Sequence, residues 1–118
     1  MFVPSLLPSS RFSGTAVAAR ARIWVRPLQA IGQAYFFKHE FEKALSNLLL
    51  AIQDHPGYPH PYRFLAACYA HVGRLDEARE TVSRLRAITS LVIPDASFLR
   101  NPKDREFYLS ALRLAAGE

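Results

Sequence analysis

A chain of 118 residues, half of them hydrophobic and 21% charged, is long enough for one small domain and too apolar to be disordered throughout. Its formal net charge of +5 is uneven: Arg11, Arg20, Arg22 and Arg26 occupy the first 26 residues with no acid among them, which leaves 11 of the 15 basic residues against all 10 acidic ones from residue 27 onward. The basicity belongs to the leader, and the nearly neutral remainder argues against nucleic acid or an anionic membrane surface as a partner.

The leader opens with residues 1–14, where Pro4, Pro8 and four serines interrupt any helical period. Residues 15–26, TAVAARARIWVR, turn rich in Ala and Arg and could form a short helix. An acid-free composition with Ser and Arg suits an organellar targeting segment, a frayed leader, or the remainder of a longer protein.

From Pro27 the pattern becomes helical. Leu28, Ile31, Gly32 and Tyr35 recur at helical spacing, followed by Phe41, Ala44, Leu45, Leu48, Ala51 and Ile52, which predicts amphipathic helices over 27–38 and 41–54. Pro56, Gly57, Pro59 and Pro61 then punctuate a turn, and a second pair is predicted over 60–71 and 75–88. Gly73 stands where this second pair must reverse direction, in a left-handed backbone position that is cheapest without a Cβ. His39 holds the equivalent place in the first pair and predicts a looser turn there. A connector broken at Ile93, Pro94 and Asp95 leads to a last helix over 102–116, with Asn101 as N-cap, Pro102 in the first turn, and Phe107, Tyr108, Ala111, Leu112, Leu114 and Ala115 as its apolar stripe.

The two pairs are copies of one pattern displaced by 34 residues: Leu28 and Tyr62, Ile31 and Leu65, Tyr35 and Tyr69, Phe41 and Leu75, Ala44 and Ala78, Leu48 and Val82, Ala51 and Leu85. Gly32, Ala66, Ala44 and Ala78 are small where one helix backbone would approach another. This skeleton resembles the tetratricopeptide repeat, with Ala66 in place of the usual glycine, Val82 in place of the usual aromatic residue, and Ser90 where a closing proline belongs. The resemblance implies an all-α chain of two repeats, 27–57 and 58–90, stacked as a short right-handed solenoid after a basic leader over 1–26 and before a connector and capping helix over 91–118. The run from Lys43 to Ile88 and the segment from Pro94 to Glu118 also look like the repeat-bearing tail of bacterial class III adenylate cyclase-like proteins. That narrower resemblance implies a regulatory remnant, because nothing before the repeats could supply a cyclase's metal-binding aspartates.

In such arrays the first helix of each pair lines a groove, through residues out of phase with the packing positions. Here these are Gln29, Gln33, Phe36 and Phe37, then His60, Arg63, Phe64, Ala67 and His71, an aromatic and basic surface suited to a peptide or helix, with Arg63 to receive a carboxylate. The packing positions are Leu28, Ile31, Gly32, Tyr35, Ala44, Tyr62, Leu65, Ala66, Tyr69, Gly73 and Ala78, and Phe37 and Phe64 also suit contacts with neighbouring helices. Each pair exposes an apolar flank, so self-association is expected unless the last helix and the leader cover both.

Catalysis finds little support. Cys68 is the only cysteine, which excludes a disulfide framework and a Cys-rich metal site. It sits among alanines, with Ala34 as its counterpart in the first pair, and reads as a small buried hydrophobe, although His71 is one helical turn away. His60 and His71 stand eleven residues apart, about 16 Å along a helix, too far for one metal ion. No phosphate-binding glycine loop, dinucleotide fingerprint or nucleophile elbow is present, so no enzyme, no cofactor and no metal is expected. The A-type helices are too apolar for a helix-turn-helix DNA binder. Alternating charges from Asp76 to Arg86, with Glu80 and Arg84 as an i,i+4 pair, predict a solvated outer face. No apolar run approaches the ~18 residues of a membrane-spanning helix, and a cytoplasmic protein is expected.

Overall fold

Prolines and turn residues set the element boundaries in the computed structural model, which describes residues 27–118. The leader and its short helix lie outside the described residues. The described residues are all-helical: α1 over 27–37, α2 over Phe41–Asp54, α3 over Pro59–His71, α4 over Leu75–Ile88 and α5 over Pro102–Ala115. The helices pack in sequential pairs, with α5 following the second pair.

Both hairpins reverse through the same turn. His39 has φ of 64° and Gly73 φ of 82°, and in each case the next residue donates its N–H five residues back, Glu40 to the Tyr35 carbonyl at 2.9 Å and Arg74 to the Tyr69 carbonyl at 2.8 Å. The looser first turn expected at His39 is therefore not found, and the histidine adopts the left-handed conformation that glycine adopts in the second repeat.

Within the first pair, α1 meets α2 at Gly32. A Cβ there would lie 2.7 Å from Leu48 Cγ and 2.8 Å from its Cδ2, so only glycine fits without a shift. In the second pair the matching places hold Ala66 and Val82, both 0% exposed. The larger residue on one helix is thus matched by a smaller one on the other, which accounts for two departures from the repeat pattern at once. Tyr62 donates its hydroxyl to the Pro56 carbonyl at 2.7 Å and ties the second repeat to the end of the first.

Helix α3 is the centre of the fold. Every residue from Pro61 to Cys68 is buried, a pattern of a helix enclosed on all sides and not of one with a solvated face. It is enclosed because α2, α4 and α5 all pack against it. The first repeat has no such neighbour on its other side among the described residues, and Ile31, expected to pack, is 44% exposed while its counterpart Leu65 is 1% exposed. Leu28 and Tyr35 are partly buried, whereas Ala44, Tyr62, Ala66 and Ala78 are buried as expected of packing positions; Tyr69 is partly buried and Gly73 exposed in its turn.

Helix α5 does more than cover the flank of the last pair. It packs chiefly on α3 with a smaller contact to α4, and its aromatic residues extend to α1. The connector delivers it there through a sharp bend at buried Ala96, with φ of 57°, and Arg105 donates to the Leu99 carbonyl through Nε at 3.1 Å and Nη2 at 2.7 Å. At the far end Arg86 of α4 donates to the Ala116 carbonyl at 3.3 Å. Asn101 caps the helix, its Oδ1 accepting from the Lys103 N–H at 2.9 Å. Asn101→Ala is expected to cost about 1 kcal/mol and to lower the melting temperature by about 4–8 °C, measured by thermal circular dichroism.

The outer face carries ion pairs at i,i+3: Lys43 with Glu40 at 3.1 Å, Arg79 with Asp76 at 3.9 Å, and Arg74 with Glu77. The expected Glu80 and Arg84 pair does not form; the Arg84 guanidinium lies over the Tyr62 ring, 5.4 Å from its centroid.

Candidate functional site

Four of the side chains read from sequence as groove-lining, Phe36, Phe37, Phe64 and His71, converge on one place, and the chain's own α5 is on top of them. Phe36 of α1 is 5.3 Å from Phe64 of α3, 5.2 Å from Phe107 and 6.3 Å from Tyr108 of α5, measured between ring centroids. Tyr108 stacks on Phe64 at 4.3 Å with 17° between planes. Phe107 stacks on His71 at 3.9 Å and on His39 at 4.6 Å, nearly parallel to both. His71 also donates from Nε2 to the Phe107 carbonyl at 3.0 Å, so one imidazole holds both backbone and ring of the same residue.

This cover corrects the expected solvent-facing groove. Phe36 and Phe64 are both 0% exposed and belong to the core, and Arg63 and Gln29 are also buried. Gln29 donates through Nε2 to Gln33 Oε1 at 2.9 Å. Phe37, Gln33, His60 and His71 are partly buried and keep some access to solvent, whereas Ala67 is fully buried. Phe36 and Phe64 are out of phase with the packing positions of their own repeat, but burial by a helix as distant in the chain as α5 cannot be read from a local period. His39, Phe41, Phe107 and Tyr108 belong to the same aromatic cluster and were not assigned to it from sequence. The one local signal for them was the density of aromatic residues at the end of α1 and in the middle of α5.

Electrostatically the site is unusual in one respect. Arg63 is a buried cation whose Nη2 donates to the Leu91 carbonyl at 2.6 Å, while its Nε has no hydrogen-bond partner. Among the described residues no carboxylate pairs with it. The hydroxyl of Tyr108, also buried, has no partner among the described residues either. Each unmatched buried group costs on the order of 1–3 kcal/mol. Burial raises the Tyr108 phenol above its ordinary range, with the Arg63 charge pulling the other way.

Burial, and then the Arg63 charge, depresses His60 to about 4 from 6.5. Burial also lowers His71, against the opposing effect of its bond to the Phe107 carbonyl. Folded His60 binds its proton less well than in the unfolded chain, so its full contribution is present above pH 6.5 and is lost as the pH falls toward 4, and the lowered His71 acts in the same direction. For His60 the slope stays below about 1.4 kcal/mol per pH unit, because the ring keeps some contact with solvent. Thermal melts are therefore expected to shift downward between pH 7 and pH 5, and His60→Gln to flatten that dependence.

Cys68 is buried and its thiol is pushed up to about 12 by that burial, so it carries no thiolate at neutral pH. His71 directs its Nε2 to the Phe107 carbonyl. Among the described residues no group of three or more His, Cys, Asp or Glu side chains could hold a metal ion, and no helix is long and apolar enough to cross a membrane.

Stacked helical hairpins built on a repeated 34-residue pattern define a helical-repeat protein. Residues 38–90 match the family model of the tetratricopeptide repeat. The five helices are consistent with such repeats followed by a C-terminal helix. No curated protein and no solved structure matches the chain, and no link to a nucleotide cyclase emerges. Tetratricopeptide repeats are generally protein–protein interaction modules and usually non-catalytic.

Proposed function

We propose that this chain is a non-catalytic interaction module that receives a peptide or helix of a protein partner on the face formed by α1 and α3. The observation that carries the reading is that this face already accommodates a helix, α5, through Phe36, Phe64 and His71. A surface that stacks and hydrogen-bonds a helix in one chain has the shape and chemistry to receive one from another. Gln33, Phe37, His60 and His71 form its accessible rim, and Arg63 its positive interior. The division into a leader over 1–26, repeats over 27–57 and 58–90, and a C-terminal unit over 91–118 belongs to the same proposal.

The test is affinity capture with the tagged full chain, followed by cross-linking to map the contact. A specific partner cross-linked at α1 and α3, and lost in Phe37→Arg while helix content and a cooperative melt are retained, supports the reading. A partner that binds Phe37→Arg equally well and maps to the outer face of α2 and α4 counts against it.

A further inference from the structure

Two features of the α5 contact stand together: its aromatic fit is close, and its polar fit is incomplete. Phe107 lies against His39 and His71, and Tyr108 against Phe64, so the face accepts two adjacent aromatic side chains from one helix. Beneath them the Arg63 Nε and the Tyr108 hydroxyl are buried without hydrogen-bond partners among the described residues, where the guanidinium donates to the Leu91 carbonyl through Nη2. The neighbouring His60 is itself a base and cannot neutralise the charge, and among the described residues α5 supplies no carboxylate to it. An anion placed there would form a charge-assisted bond stronger than any that α5 now makes at that point.

We propose that the face beneath α5 is a docking site for a partner helix that carries two adjacent aromatic side chains and a carboxylate directed at Arg63, with α5 as its tethered competitor. The inference rests on the interaction-module reading and names the partner's chemistry and the element that must leave. The tether gives α5 a high effective concentration, so a free helix lacking the carboxylate does not displace it. The connector between α4 and α5 has no helix from Thr89 to Asn101, so release of α5 would break no helical hydrogen bond of the two pairs, although it withdraws buried Ala96 and Leu99.

The probes are two synthetic peptides with the sequence of residues 101–118, one natural and one with 4-carboxyphenylalanine in place of Tyr108, which puts a carboxylate where the phenol hydroxyl lies. They are titrated by calorimetry against the full-length chain and against full-length Phe107→Ala, which weakens its own α5. The carboxylated peptide is expected to bind Phe107→Ala about tenfold more tightly than the natural peptide, a difference of about 1.4 kcal/mol. That advantage disappears when Arg63→Met is added. Equal affinities, or no binding by either peptide to a Phe107→Ala chain of undiminished helix content, overturn the proposal. So does a concentration-dependent dimer that exchanges α5, because the occupant is then a second copy.

Should Phe107→Ala fail to fold, hydrogen exchange on the unmodified chain decides. Opening of α5 before α3, with the carboxylated peptide increasing the exchange of α5 amides and leaving α3 protected, supports displacement. Opening of α5 and α3 in one step overturns it. Failure here with a partner still captured in a Phe37-dependent way leaves the interaction module standing and removes only the aromatic, acidic helix.

Discussion

Phe36→Ala is expected to destabilise the chain by about 3–5 kcal/mol, the cost of deleting a large, fully buried aromatic side chain. Phe36 is the residue on which three elements meet. Its ring lies 5.0 Å from Phe37 and 5.9 Å from Phe41 in the first repeat, 5.3 Å from Phe64 and 5.5 Å from His71 in the second, and 5.2 Å from Phe107 in α5. A small domain has about 5–15 kcal/mol of total stability, so this loss removes a large share of it. Phe37→Ala, one residue along and only partly buried, is the natural comparison and is expected to cost less than half as much. Urea titrations of both variants, followed by circular dichroism, check the difference. Were Phe36 a solvent-facing groove residue, its replacement would fall within the ±0.5 kcal/mol or so of an ordinary surface change.

Gly32→Ala is expected to destabilise by about 1–3 kcal/mol, against the ordinary gain of about 1 kcal/mol for Ala over Gly inside a helix. The reversal comes from Leu48, whose Cγ would be 2.7 Å from the new Cβ and whose side chain is 0% exposed. Leu48→Val in the same chain reproduces the Ala66 and Val82 combination of the second repeat. The double variant is therefore expected to recover most of the loss made by Gly32→Ala alone, an interaction readable as a double-mutant cycle in melting temperature. Additive losses would show that the two sites do not meet as described.

These two positions differ in how far they could be anticipated. Gly32 was readable because the pattern recurs: a small residue at the same phase of two copies points to a close helix approach whatever the remainder of the chain does. Phe36 was placed on the right face of α1 and given the wrong environment. Its phase says that it points away from α2, and only the position of α5 says whether that direction leads to water.

Arg63 shows the same division. Helical phase put it beside Phe64 and His60 on one face of α3, and a carboxylate was expected to meet it from outside the chain. Its burial against the Leu91 carbonyl follows from the route of the connector, which no periodicity encodes. His39 departs in the opposite sense. Its side chain suggested a loose turn, yet the two hairpins share one geometry, because the packing of α1 on α2 holds the backbone at φ of 64° and the imidazole is stacked on Phe107.

Local spacing alone thus established the helices, their pairing and the repeat, since a 3.6-residue period and a 34-residue echo are properties of neighbours along the chain. Which face stays open was decided by the docking of α5, a contact between segments more than thirty residues apart, such as His71 with Phe107. That contact forms by burying apolar area, a non-directional force that acts on whichever surfaces the folded chain brings together, so it leaves no periodic trace in the order of the residues.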